Sequence, residues 1–273
     1  MKSTAGPFLL GRCVFQVRSE RPDLLQAITE LFPACRGDDS GGIAGGVRGP
    51  LLEVDVDDLL AGAENLSGLT GQELAIAAVS LVASRCQSWH DRCFWLDAAV
   101  LLAPDGRLFL LAGPSFAGKT TLTLAMVLSR GWKALAEDIA VLDMDERSVI
   151  PFERPFSVRP GCAELLERCA GVRPGPLVLG TWCPGAGLFH RQAVPARFAV
   201  CIRLVPLNAV APDARMSPEE ISPDEFVRFV LPLSSALRVP GAIDVLKEGV
   251  ADARCCLLSG GSLPERVQLL LSM

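Results

Sequence analysis

Nine residues constrain this chain more than any others: GPSFAGKTT, at residues 113–121. They fit the phosphate-loop pattern G-x-x-x-x-G-K-[ST], with Gly113, Gly118, Lys119 and Thr120 in the fixed places. The flanks agree. Residues 107–112 (RLFLLA) are a short apolar run of strand type, and residues 120–130 (TTLTLAMVLSR) read as a helix stopped by Gly131. Strand, glycine loop and helix in that order gather loop N–H groups and a helix N-terminus around one point, which makes an anion site. The pattern predicts a bound nucleoside triphosphate, cradled by Gly113, Pro114, Ser115, Phe116, Ala117, Gly118, Lys119, Thr120 and Thr121. Lys119 would reach the β- and γ-phosphates, and the Thr120 hydroxyl would sit on Mg²⁺. ATP and Mg²⁺ are the expected cofactors.

A phosphate loop only holds a nucleotide. Chemistry needs a carboxylate near Mg²⁺ and a group that lets an acceptor take the phosphoryl group. Glu137 and Asp138 lie 18 and 19 residues after Lys119, between the apolar segments 132–136 and 139–143. Strand ends beside a phosphate loop face the same crevice. One acid can hold Mg²⁺, directly or through water, and the other can accept the proton of an attacking hydroxyl. An arginine can stabilise the transferring charge. Arg154, Arg159, Arg191 and Arg203 all lie beyond the acidic pair, and Arg159, next to Pro160 and Gly161, is the first choice.

The rest of the composition narrows the class. The 273 residues are half hydrophobic and suffice for one large domain or two smaller ones. A net charge of −5 without a basic stretch argues against a nucleic-acid partner. No apolar run reaches the roughly 18–20 residues of a membrane span. Residues 1–12 lack the pattern of a secretory signal, so a cytoplasmic protein is expected. Ten cysteines without a C-x-x-C then read mostly as small buried hydrophobes. Cys86, His90 and Cys93 could be drawn as part of a zinc site, but no second paired cluster completes it.

In chain order, residues 13–18 read as a strand, 22–32 as an amphipathic helix, 33–50 as a Gly-rich loop and 51–56 as a strand. Thr70 and Glu73 form a capping box before a nearly all-apolar, buried helix at 74–86. Residues 95–103 and 107–112 flank Pro104, Asp105 and Gly106, a hairpin signal. Residues 143–148 are a polar turn. Downstream, helices are expected at 160–169, 223–230 and 241–254, and a strand at 197–205. Residues 171–195 and 208–223 read as loops, and Ser262 with Glu265 caps a last helix to about residue 271. Residues 258–262 (LSGGS) invite comparison with the signature of transporter ATPases. That signature precedes an apolar strand ending in Asp-Glu, whereas 11 residues follow Ser262 here, so the segment is a turn into the last helix.

The segment LDAAV at 96–100, the hairpin, the loop GPSFAGKTT and GWKALAEDIAVL at 131–142 together resemble the C-terminal catalytic domain of HPr kinase/phosphorylase and its relatives. The likeness is specific over about residues 95–145 and general beyond 150. That family has a GxSGxGKS loop, an Asp-Asp pair at a matching interval and a His on the strand before the loop. Asp138 falls on the second Asp, which the resemblance implies is the general base. Asp97 falls on the His, Glu137 on the first Asp, and Phe116 where the loop usually has Gly. Asp97 could ligand Mg²⁺, orient Asp138 or cap the hairpin. These departures, with no HPr-binding signature downstream, point to a one-way kinase rather than a phosphorylase acting on HPr. The N-terminal module resembles the small leader domain of HPr-kinase-related proteins found beside some bacterial peptide-modification genes.

The expected fold is therefore α/β: a P-loop kinase core with a mixed sheet, of the HPr kinase/PEP carboxykinase type, over residues 89–273, and a small N-terminal α/β module over 1–88. The expected function is transfer of the γ-phosphoryl group of ATP to a hydroxyl, first a serine of a peptide or small protein. Lys119, Asp138, Asp97 and Arg159 would carry it, with Thr120 and Glu137 on the metal. The alternatives are a small-molecule kinase, a plain NTPase switch and a catalytically weak nucleotide-binding partner protein. The family is hexameric, so the resemblance extends to a homo-oligomer. Neither a nucleic acid nor a membrane is an expected partner.

Overall fold

The computed structural model describes residues 2–10, 13–31, 51–63, 68–69, 71–87, 92–159, 161–175, 181–182, 187–206 and 215–273. The Gly-rich stretch from 33 to 50, Thr70 of the capping box, His90, Cys35, Cys183 and Pro160 lie outside them. The chain divides into two compact units, one comprising Met1–His90, Glu153–Pro155 and Pro176–Cys183, the other Asp91–Phe152, Phe156–Gly175 and Pro184–Met273.

In the first unit, β1 (Ser3–Leu10) runs antiparallel to β2 (Cys13–Ser19), which runs parallel to β3 (Leu52–Asp55). Helix α1 (Pro22–Leu31) buries Leu24, Leu25, Ile28 and Leu31, the one-sided spacing its sequence shows. Helix α2 (Val56–Ala61) is capped by Asp55, and α3 (Gly71–Gln87) packs on α1. Leu74, Ala75, Ile76, Ala78, Val79, Val82, Ala83 and Cys86 of α3 are buried, in keeping with a helix apolar on nearly every side. The sequence reading did not assign β1 or α2. Of the eight described cysteines, seven are buried and Cys169 is half-buried.

The second unit is built on a mixed sheet. In chain order its elements are β4 (Cys93–Leu102), β5 (Leu108–Ala112), α4 (Lys119–Ser129), β6 (Lys133–Ala136), β7 (Ile139–Asp143), β8 (Ser148–Ile150), β9 (Phe156–Ser157) and α5 (Cys162–Ala170). The short strand β10 (Thr181–Trp182) falls in the first unit, and the second continues with β11 (Val194–Pro195), β12 (Phe198–Leu204), β13 (Ser217–Glu220), α6 (Pro223–Val230), α7 (Ala242–Val250), β14 (Arg254–Ser259) and α8 (Leu263–Ser272). Among the described residues the large sheet has nine strands in the order β11-β8-β7-β4-β5-β12-β14-β13, with β6 also on β4. Strands β5, β12 and β14 are parallel, and the other pairings are antiparallel. All five residues of β5 are buried, as a strand covered on both faces requires.

Three downstream expectations need correction, the first being the loop expected at 171–195, which contains the two-residue strands β10 and β11. The helix expected at 241–254 ends at Val250, and Arg254–Ser259 is a strand between β12 and β13. Ala251, Asp252 and Ala253 look helical in sequence, but they are the short connection into β14. The loop expected at 208–223 contains β13, whose four residues SPEE are all exposed. An edge strand has no apolar face to announce it, and here its backbone pairing with β14 decides the conformation. The cap expected at Ser262 is present: its N–H donates to Glu265 Oε2 at 2.7 Å. Among the described residues no helix is long and apolar enough to cross a membrane.

Candidate active site

The site follows from the register of four strands. Ala98 of β4 stands opposite Ala112, the last residue of β5. Asp97 therefore comes level with the start of the phosphate loop at Gly113. On its other side β4 pairs first with β6, through Val100 and Ala136, and then with β7, through Asp97 and Ile139. Glu137 and Asp138 occupy the break between those two strands. The Asp138 carbonyl stays in the ladder, accepting from Ala98 N–H at 2.9 Å. Two strand segments along one partner thus deliver two acids beside the loop.

Gly113 is required by packing. A Cβ there would come within 2.8 Å of Leu204 O on β12 and 2.9 Å of the Ala117 Cβ. Gly118, just before α4, has φ 92°, a left-handed conformation natural to glycine. Lys119 opens α4 with its side chain only 6% exposed. Its Nζ donates to Gly113 O at 2.6 Å and lies 2.8 Å from Asp97 Oδ1 and 3.4 Å from Asp138 Oδ1. Both aspartates are about one-third exposed, at 34% and 37%. Asp97 is thus an ion-pair partner of Lys119. The hairpin turn is capped by Asp105, which accepts from Arg107 N–H at 3.1 Å. Glu137 is buried, and its Oε1 accepts a hydrogen bond from the Thr120 hydroxyl.

Gly118, Lys119, Thr120 and Asp138 border a cavity of about 360 Å³ lined by residues 114–121, Asp138, Ser157, Arg159, Gly161, Cys162 and Leu165, whereas Gly113, Asp97 and Glu137 are not part of its lining. Of the four arginines singled out in the sequence, Arg159 lines it, while Arg203 stacks on Phe229 with its Cζ 4.4 Å from the ring centroid. The sequence reading missed Ser157, Cys162 and Leu165, which come from β9 and α5. The Thr121 hydroxyl lies 3.2 Å from Cys162 Sγ, and burial pushes the Cys162 thiol up from its ordinary value. The signal available was their closeness in sequence to Arg159, since Ser157, Gly161, Cys162 and Leu165 all lie within six residues of it.

Phe116 is the unusual member. It has φ 69°, although it is not glycine, and its side chain is 59% exposed. The Arg159 guanidinium lies over its ring, 3.7 Å from the centroid. A left-handed conformation costs an L-residue about 1–2 kcal/mol. Glycine at 116 would relieve that strain. It would also give the unfolded chain about 0.4–1 kcal/mol of entropy and remove a stack worth about 0.5–1 kcal/mol. These terms nearly cancel. Phe116→Gly is therefore expected to move Tm by no more than about 2–4 °C in a thermal melt. A fall beyond about 10 °C would mean that the phenyl ring carries packing energy not visible in its exposure.

The donors fit the expected groups. Mg²⁺ is ordinarily held by one or two carboxylates together with phosphate oxygens and waters. A buried glutamate hydrogen-bonded to the loop threonine supplies such a donor pair beside the loop. The loop ahead of α4 has the dipole and N–H groups that phosphates require.

No protein-family model matches the chain, and no curated protein matches it in sequence. Among solved structures it is similar to the HPr(Ser) kinase/phosphatase from Coxiella burnetii. The match has a TM-score of 0.31 and 15% sequence identity, and covers 65% of this chain and 93% of that one. A likeness of this size decides neither the chemistry nor the substrate.

Proposed function

We propose that the second unit is an ATP-dependent kinase that moves a phosphoryl group to a hydroxyl, first a serine of a peptide or small protein. The observation that carries this reading is Lys119. A buried lysine at the end of a phosphate loop is held between Gly113 O and two carboxylates about one-third exposed, Asp97 and Asp138. A loop that merely anchored a nucleotide would not need acids converging on its lysine. The sequence resemblance to the HPr kinase/phosphorylase catalytic domain points the same way.

Position supports the following roles. Loop amides and Lys119 hold the phosphates. Thr120 and Glu137 would hold Mg²⁺, which would neutralise phosphate charge when bound. Asp138 accepts the proton of the acceptor hydroxyl. The acceptor oxygen then forms a bond to the γ-phosphorus, the bond from that phosphorus to the bridging oxygen breaks, and ADP leaves. Asp97 holds Lys119 in line with Asp138. Arg159, at the cavity wall, can leave the face of Phe116 to meet the transferring charge.

Glu137→Gln keeps the size of the side chain and removes its charge. It is expected to raise the Mg²⁺ concentration for half-maximal turnover by at least about tenfold. A magnesium titration of the initial rate reads this directly, and an unchanged midpoint would remove Glu137 from the metal.

The function itself is tested with γ-labelled Mg·ATP and a native cell extract split into peptide and small-molecule fractions. Label in a peptide supports the proposal. Label in a small molecule keeps the kinase and discards the peptide acceptor. Label released only as inorganic phosphate makes the protein an NTPase, and bound ATP with no label moved makes it a nucleotide-binding protein.

A further inference from the structure

Helix α8 carries a buried cation that the reading above leaves without a task. The Arg266 side chain is only 3% exposed. Its Nε and Nη2 donate to Gly260 O at 3.0 and 2.8 Å, and its Nη1 donates to Ala117 O at 3.2 Å. The guanidinium therefore bridges the turn between β14 and α8 to the phosphate loop, and each of these acceptors is a backbone carbonyl. Taking a full charge out of water onto neutral partners is costly. Burial accordingly lowers the pKa of Arg266 from its ordinary value, although a guanidinium keeps its proton.

The turn is shaped for this bridge. Gly260 and Gly261 both have positive φ, 61° and 79°, and a Cβ on Gly261 would come within 2.7 Å of the Met216 Cβ. Two consecutive left-handed residues aim the Gly260 carbonyl back along α8 at the arginine.

The contact with Ala117 matters because of what shares its peptide. The Ala117 carbonyl and the Gly118 N–H belong to one planar trans unit and point in opposite directions. Arg266 grips the carbonyl end, so the Gly118 N–H is turned away from it. Glycine tolerates either orientation of the preceding peptide at little steric cost. The local chain therefore leaves the direction of this N–H unsettled. In a phosphate loop that direction is decisive, because the loop N–H groups are what cradle the phosphates.

We infer that Arg266 is a positioning residue for phosphate binding: it locks the Ala117–Gly118 peptide with its N–H presented to the phosphates, and adds a fixed positive charge behind the loop. A bound polyphosphate supplies the negative charge that the neutral carbonyl partners do not. This inference rests on the reading of residues 113–121 as a nucleotide site.

The test compares wild type, Arg266→Met and Arg266→Lys. Binding of inorganic tripolyphosphate and of Mg·ADP is measured by calorimetry, with Tm recorded for each protein. Arg266→Met is expected to weaken both ligands by about tenfold, about 1.4 kcal/mol. The two factors should agree, because the defect lies at the phosphates and not at the base. Arg266→Lys keeps the charge and part of the bonding, and should recover part of the loss. A folded Arg266→Met protein with wild-type affinity for both ligands would overturn the inference and leave the nucleotide site standing. If the methionine variant does not fold, Arg266→Lys carries the test. A lysine variant with lowered Tm but undiminished tripolyphosphate affinity would reduce Arg266 to a structural residue and overturn the inference. A wild type that binds neither ligand would overturn both readings.

Discussion

Lys119→Ala is expected to abolish nucleotide binding and, with it, turnover. In the folded protein this ammonium is 6% exposed and sits among Gly113 O, Asp97 and Asp138. Removing it takes away the cation that would reach the β- and γ-phosphates. It also leaves two carboxylates at the mouth of a site meant for a polyanion. A repulsion between unit charges about 4 Å apart amounts to about 4 kcal/mol at an effective dielectric near 20. Loss of the attraction and gain of the repulsion act in the same direction. Calorimetry with Mg·ATP should therefore find no binding by the variant at concentrations that saturate the wild type. Affinity within a few-fold of wild type would mean that the loop amides hold the phosphates without the lysine.

Asp138→Asn should behave differently. Asparagine keeps the shape of the side chain and the backbone bond from Ala98 to the Asp138 carbonyl, but it cannot take a proton. ATP binding should survive, since the loop and Lys119 are intact and one negative charge has gone. Transfer should fall by about 10²–10⁴-fold, the usual worth of a positioned general base. The contrast between these variants separates holding the nucleotide from using it. A variant of Asp138 that bound ATP poorly and transferred it at the wild-type rate would reverse the assignment.

Most of the site was written locally. The loop motif, the strand before it, the helix after it and the interval to Glu137 and Asp138 all lie within about 30 residues. Each is a matter of residue type and spacing. Asp97 was reached through family resemblance, and its physical explanation is a register: Ala98 opposite Ala112, and Asp97 opposite Ile139. The hairpin turn sets the first of these registers, but spacing alone does not give the second, because no tight turn joins β4 to β7. Arg266 was invisible for the same reason. Nothing in LPERVQLLLS says that its arginine meets the loop carbonyl at Ala117, 149 positions earlier.

The fold shows the same division. Where an element carries its own pattern, as in the amphipathic α1 or the capped α6 and α8, its sequence suffices. Strand β13 has no apolar face, and β14 follows three residues of helical type after α7. Their conformations are set by each other and by β12, and that information is not local.

The most direct measurement is a side-by-side assay of wild type and Asp138→Asn on the same preparations, recording ATP affinity and the rate of transfer of labelled γ-phosphate to the acceptor fraction. The account predicts affinity no weaker than that of the wild type, with transfer lower by about 10²–10⁴-fold in the variant. Undiminished affinity with wild-type transfer would contradict it, because the acid beside Lys119 would then have no part in the chemistry.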